Sequence, residues 1–193
     1  VEAGANNGIL QSNTLYYEKK YNWSGILIEP NYESYIACKT NRPNCIVEHC
    51  ALVSNTYTQN YIEGTFLTKG GNCGLSLMEY VTDYGDQCDE AMKEIKTIKK
   101  NNNEITKVPA KKLQDILNAN NIRHIDLFSL DVEGYEISVL NGLDFNSVSP
   151  TYILLETSSD ESRINLLSNY LNKKNYTMIE RVSKNDHLFK FKG

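Results

Sequence analysis

Two short apolar runs in this chain each end in a carboxylate. Ile125 to Leu130, IDLFSL, delivers Asp131, and Tyr152 to Leu155 delivers Glu156, with Glu133 two residues beyond Asp131. If the runs are parallel strands, they lie about 4.8 Å apart. Their C-terminal ends then face the ligand side of an open sheet. Two acids so placed can share a divalent cation or flank one reacting hydroxyl. Like charges held this close raise one another's pKa unless a cation or donor intervenes, a common mark of catalytic sites. Each acid also has a plainer reading, capping the next helix or pairing with Lys or Arg. None of His49, His124 and His187 stands at metal-ligand spacing from another His. His187, on the expected turn between the last two strands, is either a general base reaching the ligand edge or a surface histidine.

The opening stretch, V-E-A-G-A-N-N-G, is a second candidate. Gly4 and Gly8, with small Ala5 between them, let backbone bend sharply and approach a ligand. Glu2, an acceptor when ionised, suits an ammonium or hydroxyl rather than a phosphate. The spacing differs from both the G-x-G-x-x-G fingerprint and the P-loop. It points to a nucleoside with a cationic amino-acid tail, such as S-adenosylmethionine, or else to an ordinary strand-to-helix turn. Gly25 to Glu29, GILIE, is a buried-strand signal ending in an acid before Pro30. Glu29 is placed to accept from ribose hydroxyls. Alternatively it is the N-terminal acid of a helix capped by Asn31 and running to about Arg42. Cys45 to Leu52 is expected to be a third strand with its continuation, where small Cys50 and Ala51 can flank an aromatic base or serve packing alone.

The elements that must position these residues alternate. Helices are expected over Ile9 to Tyr21, Lys111 to Asn121, Tyr135 to about Asn141 and Ser162 to Lys174. Further strands are expected over Tyr57 to Gly64, Ile105 to Pro109, Tyr176 to Val182 and His187 to Lys192. Lys69 to Gly74 reads as a flexible loop, and Asp86 to Lys100 as a solvated helix. With 193 residues, residues 1–193 form one α/β domain. Net charge is −4 and the lysines are scattered pairs, which argues against a nucleic-acid partner. The five cysteines lack C-x-x-C pairing and read as reduced cytosolic thiols. No apolar run approaches a membrane span, so a soluble cytoplasmic protein is expected, with no membrane partner. The chain opens almost on its best motif, so most of a first strand is expected to precede Val1.

E-A-G-A-N-N-G from Glu2, S-N-T at Ser12 to Thr14, L-I-E-P-N at Leu27 to Asn31, S-L-D-V-E-G-Y-E at Ser129 to Glu136 and I-L-L-E at Ile153 to Glu156 together resemble the FkbM family of methyltransferases. The resemblance implies a Rossmann-like class I fold, a mostly parallel seven-stranded sheet with an antiparallel strand near the C-terminus. It also implies S-adenosylmethionine as methyl donor and hydroxyls of sugars or sugar-bearing molecules as acceptors. On it, Glu2, Gly4, Ala5 and Asn6 line the methionine end, with Asn13 and Thr14 nearby. Glu29 with Pro30 takes the ribose, and Asn31, Cys50 and Ala51 border the adenine. Asp131 sits between donor and acceptor, with Asp131, Glu133 or His187 as base and Asp131 with Glu156 holding Mg2+ or Mn2+. Glu2 departs from the family's more usual Asp. Residues 65–103 match least and are expected to choose the substrate. A homodimer, and fusion to or cooperation with glycosyltransferases, are further expectations. The other readings are methylation of a non-sugar small molecule and an inactive nucleoside-binding module.

Overall fold

A computed structural model describes residues 1–66, 76–78, 106–157 and 161–193. In chain order the elements are β1 (Glu2–Ala3), α1 (Leu15–Tyr21), β2 (Ile26–Ile28), α2 (Tyr32–Asn41), β3 (Ile46–Glu48), β4 (Ala51–Leu52), β5 (Tyr61–Phe66), β6 (Ser76–Met78) and β7 (Thr106–Lys111). They continue with α3 (Leu113–Ala119), β8 (Leu127–Leu130), α4 (Glu136–Asn141), β9 (Tyr152–Glu156), α5 (Glu161–Asn172), β10 (Tyr176–Arg181) and β11 (Asp186–Phe191). Seven strands form the main sheet in the order β10-β11-β9-β8-β1-β2-β3. From β9 to β3 every pairing is parallel, and β11 alone runs antiparallel to both its neighbours. This is the Rossmann-like arrangement that the sequence implies.

The central strands are apolar because both their faces are covered. Ile26, Leu27 and Ile28 are each buried, as are Leu127, Phe128 and Leu130. Each such side chain contributes about 1.5–3 kcal/mol of transfer free energy. On β9 burial alternates, with Ile153 and Leu155 inside. Leu130 stands opposite Leu155 in the parallel register, so the next residues, Asp131 and Glu156, emerge side by side. Helix α5 buries Ile164, Leu167 and Leu171, the spacing of one apolar stripe.

Helix α2 matches its expected limits. Asn31 accepts the Ser34 N–H at 2.9 Å as N-cap, and the helix stops before Arg42-Pro43, since a residue ahead of proline disfavours helical backbone. Two expectations change. The helix expected from Ile9 begins only at Leu15. Asn7 Oδ1 takes the N–H groups of Ile9 and Leu10 at 3.0 and 2.8 Å, and Gln11 is left-handed at φ 56°. The run Cys45 to Leu52 is two strands. After His49-Cys50 the chain leaves the main sheet, and β4 joins a second sheet in the order β4-β7-β5-β6. The expected loop at 69–74, the expected helix at 86–100 and most of 65–103 lie outside the described residues. Among the described residues no helix is long and apolar enough to cross a membrane.

Candidate active site

Three clusters gather at the β1, β2 and β8–β9 strand ends. The first surrounds Glu2, which is 3% exposed. Its Oε2 accepts from the Ser12 and Thr14 hydroxyls at 2.8 and 2.7 Å, and its Oε1 accepts the Asn13 N–H at 2.7 Å. Arg42 Nη1 stands 3.8 Å away. A carboxylate has about four acceptor positions, and the chain itself fills three of those of Glu2. Beside whatever it offers the methionine end, the Glu2 carboxylate orders the 12–14 loop. Asn13 and Thr14 are drawn into the same network, Asn13 Nδ2 donating to the Ser129 hydroxyl at 3.0 Å.

Arg42, almost fully buried, anchors this cluster from below. Its Nε donates to Glu18, its Nη1 to the Gly8 carbonyl at 2.9 Å and the Ser12 hydroxyl at 3.1 Å, and its Nη2 to the Thr14 hydroxyl at 3.2 Å. The Cys45 thiol donates to Glu18 at 3.0 Å. Burial pushes Glu18 up, but the hydrogen bonds from Cys45 and Arg42 outweigh it and hold the carboxyl below its ordinary value. Glycines are required at both turns above this network. A Cβ on Gly4 (φ +80°) would lie 1.8 Å from the Asp131 carbonyl oxygen, and one on Gly8 (φ +78°) 2.7 Å from Arg42 Cγ.

The second cluster centres on Glu29. The N–H groups of Asn31 and Asn6 donate to its two oxygens at 2.8 and 2.7 Å, which leaves each oxygen further capacity to accept. Burial pushes Glu29 up to about 7, although those two N–H groups pull it back. Asn6 holds a left-handed φ of 51°, and Gly4 and Ala5 both donate to the Ile28 carbonyl, at 3.0 and 3.1 Å. The glycine turn is thereby stitched to the end of β2. Pro30 offers its carbonyl to His49 Nε2 at 3.0 Å. Cys50 and Ala51 lie in the core at 0% and 3% exposure.

The third cluster holds the strand-end acids. Asp131 donates its N–H to the Ala3 carbonyl at 3.1 Å. Its carboxyl is pushed up to about 9 by burial first, then by the charges of Glu133 and Glu156, and it shares a side-chain hydrogen bond with Glu156. Glu133 (φ 53°) and Gly134 (φ 102°) are consecutive left-handed residues, a conformation that costs a non-glycine residue about 1 kcal/mol. Glu136, 1% exposed, accepts the Gly134 N–H at 2.9 Å; Arg163 donates to the Gly134 carbonyl at 2.6 Å and to Glu136. Among the described residues no set of three or more His, Cys, Asp and Glu side chains converges to hold a metal.

His187 is not brought to these acids. It lies within β11 rather than on the turn, 2% exposed, opposite Leu155, and its Nδ1 contacts the Asn185 carbonyl at 3.1 Å. Side chains alternate along a strand, so it shares a face with Leu155, and Glu156 occupies the other. This corrects its expected place at the ligand edge.

The family model for the methyltransferase FkbM domain matches residues 2–178. The chain belongs to the FkbM methyltransferase family. No curated protein and no solved structure matches it. Membership makes it a methyltransferase, for which the family implies S-adenosylmethionine. The residues present suit that donor: at the end of β2 a buried carboxyl with acceptor capacity adjoins a glycine turn of left-handed residues. Arg42, Glu18, Glu136 and Arg163 hold these clusters together, and no motif of the sequence singles them out. The one available signal was charge in otherwise buried surroundings, as in Glu136, which follows directly on D-V-E-G-Y.

Proposed function

We propose that this protein is an S-adenosylmethionine-dependent O-methyltransferase acting in the cytosol on a hydroxyl of a sugar or glycan, assisted by a divalent metal at Asp131 and Glu156. The observation that carries the reading is the parallel register that brings the Asp131 and Glu156 carboxyls side by side on neighbouring strand ends, with Glu133 two residues beyond. Acids crowded together so that one of them, Asp131, is pushed up in pKa mark a place where positive charge is favoured. A hard cation bound through one or two carboxylates, with its remaining positions on water and substrate oxygens, meets that demand. Bound S-adenosylmethionine supplies a methyl group on a sulfonium for attack by the acceptor oxygen.

The chain's own residues do the rest. Glu29 accepts from the ribose hydroxyls, and the 4–6 backbone, stitched to β2, borders the donor. Asp131 and Glu156 orient the acceptor oxygens, and an ionised carboxylate among Asp131 and Glu133 takes the hydroxyl proton as the C–O bond forms. The sugar assignment is supported by the family resemblance and by the 13 tyrosines in an acidic chain. The cytosolic setting is supported by Cys38, Cys45 and Cys50, which carry no disulfide.

The test is S-adenosylhomocysteine release with a panel of glycosides, before and after EDTA and on readdition of Mg2+ or Mn2+. Release that requires both glycoside and metal supports the reading. Release that persists in EDTA removes the metal, and binding of donor without transfer to any glycoside removes the sugar.

Glu29 adds a pH signature. Ribose hydroxyls need its ionised form, so donor affinity is expected to weaken as pH falls through about 7, by up to about tenfold per unit below it. Glu29→Gln binds more weakly and flattens the profile. Calorimetric titration from pH 5.5 to 8 decides; a flat wild-type profile removes Glu29 from the ribose.

A further inference from the structure

We propose that Glu136 and Arg163 are positioning residues: their buried ion pair ties the loop after β8 to the helix after β9, and so fixes the two strand-end carboxyls relative to each other. This deepens the functional reading above and rests on it. Glu136 grips Gly134 by its N–H, and Arg163 grips the same residue by its carbonyl while pairing with Glu136. One peptide segment is thus held from both sides by groups that are themselves 1% and 8% exposed. The segment carries two consecutive left-handed residues, Glu133 and Gly134. Such conformations persist where the surroundings over-determine them.

Arg163 stands in the first turn of α5, where the helix dipole disfavours a cation. Its partners on the β8 side, not helix stability, account for its place. The other buried residues of α5 are Ile164, Leu167 and Leu171, and an apolar side chain at 163 would pack the helix as well or better, since buried pairs are poor sources of stability. What the pair adds is geometry. Asp131 lies three residues before Gly134, and Glu156 ends the strand that leads into α5. A displacement of about 1 Å at such a site lowers transfer by about 100-fold.

Removing one partner alone strands a buried charge and threatens folding, so the decisive variant is Glu136→Gln with Arg163→Met, which removes both charges at similar volume. Its fold is checked by circular dichroism. S-adenosylhomocysteine affinity is expected within about threefold of wild type, because Glu29 and the 4–6 turn lie on other strands. Amide exchange at Glu133, Gly134 and Tyr135 is expected to rise at least about tenfold, and kcat to fall about 10–100-fold with the acceptor KM little changed. Arg163→Lys, keeping the charge, restores part of kcat. A folded double variant with wild-type exchange at these amides, or with wild-type kcat, overturns the proposal. Failure of the wild type to bind S-adenosylhomocysteine overturns the functional reading instead, and the exchange measurement still judges the clamp.

Discussion

Asp131→Asn is expected to give a folded protein that binds S-adenosylhomocysteine but transfers methyl groups about 10²–10⁴-fold more slowly, the range typical of a lost acid–base or charge-bearing group. The substitution changes almost no volume and removes the ability to ionise. Without ligand, Asp131 already keeps its proton, pushed up by burial and by Glu133 and Glu156, so a neutral amide suits the folded chain. Stability then moves opposite to activity. A carboxyl whose folded pKa is raised gives a contribution that is complete below its ordinary value and lost as pH rises through the folded value. Wild-type stability should therefore decline from about pH 4 towards about 9, and Asp131→Asn should show a shallower decline. Urea titrations at several pH values check this half, and transfer assays the other. A variant retaining more than a tenth of wild-type kcat would take Asp131 out of the chemistry.

Arg42→Ala should destabilise the fold by about 3–5 kcal/mol, the usual result of removing one partner from a buried ion pair. That is a large share of the roughly 5–15 kcal/mol holding a domain together. The guanidinium joins Glu18, Ser12, Thr14 and the Gly8 carbonyl, and its loss leaves two carboxylates, Glu18 and Glu2, inside the protein without their cation. Arg42→Lys keeps the charge without the planar fork and should lose about 2 kcal/mol, the scale of a charged hydrogen bond. Denaturant midpoints rank the three proteins. If Arg42→Ala unfolds within 1 kcal/mol of wild type, the network does not hold the glycine turns.

Local signals in the sequence survive folding well. The Asn31 cap, the Pro43 stop and the uninterrupted apolar runs of β2 and β8 act over a few residues, and each element stands where its residues put it. The acids that end β8 and β9 could be read for the same reason, because parallel register follows from the alternation of elements. What could not be read depends on distant partners. The loop at 12–14 displaces a helical pattern because Glu2, ten to twelve residues earlier, collects its donors. Glu18 and Arg42 meet across 24 positions and Glu136 and Arg163 across 27, with no periodicity to announce either pair. The expected turn at His187 gives way to strand because pattern fixes strand limits only to within about two to four residues; inside β11 the register with Leu155 selects the face on which the imidazole lies.

The excursion between β4 and β7 has a bearing on how such enzymes diversify. Ala51 and Leu52 stand in register with Ala110 and Lys111, and the Val53 N–H is bound to the Lys111 carbonyl at 3.0 Å. The segment between Leu52 and Lys111 therefore begins and ends at one doorway. Lengthening a segment whose two ends are already pinned together adds only about 0.6 kcal/mol of closure entropy per doubling. Ancestral insertions and deletions at this doorway would leave the strand ends bearing Glu29, Asp131 and Glu156 undisturbed. Selection could thus reshape whatever the enzyme meets on that side while its donor chemistry is inherited intact.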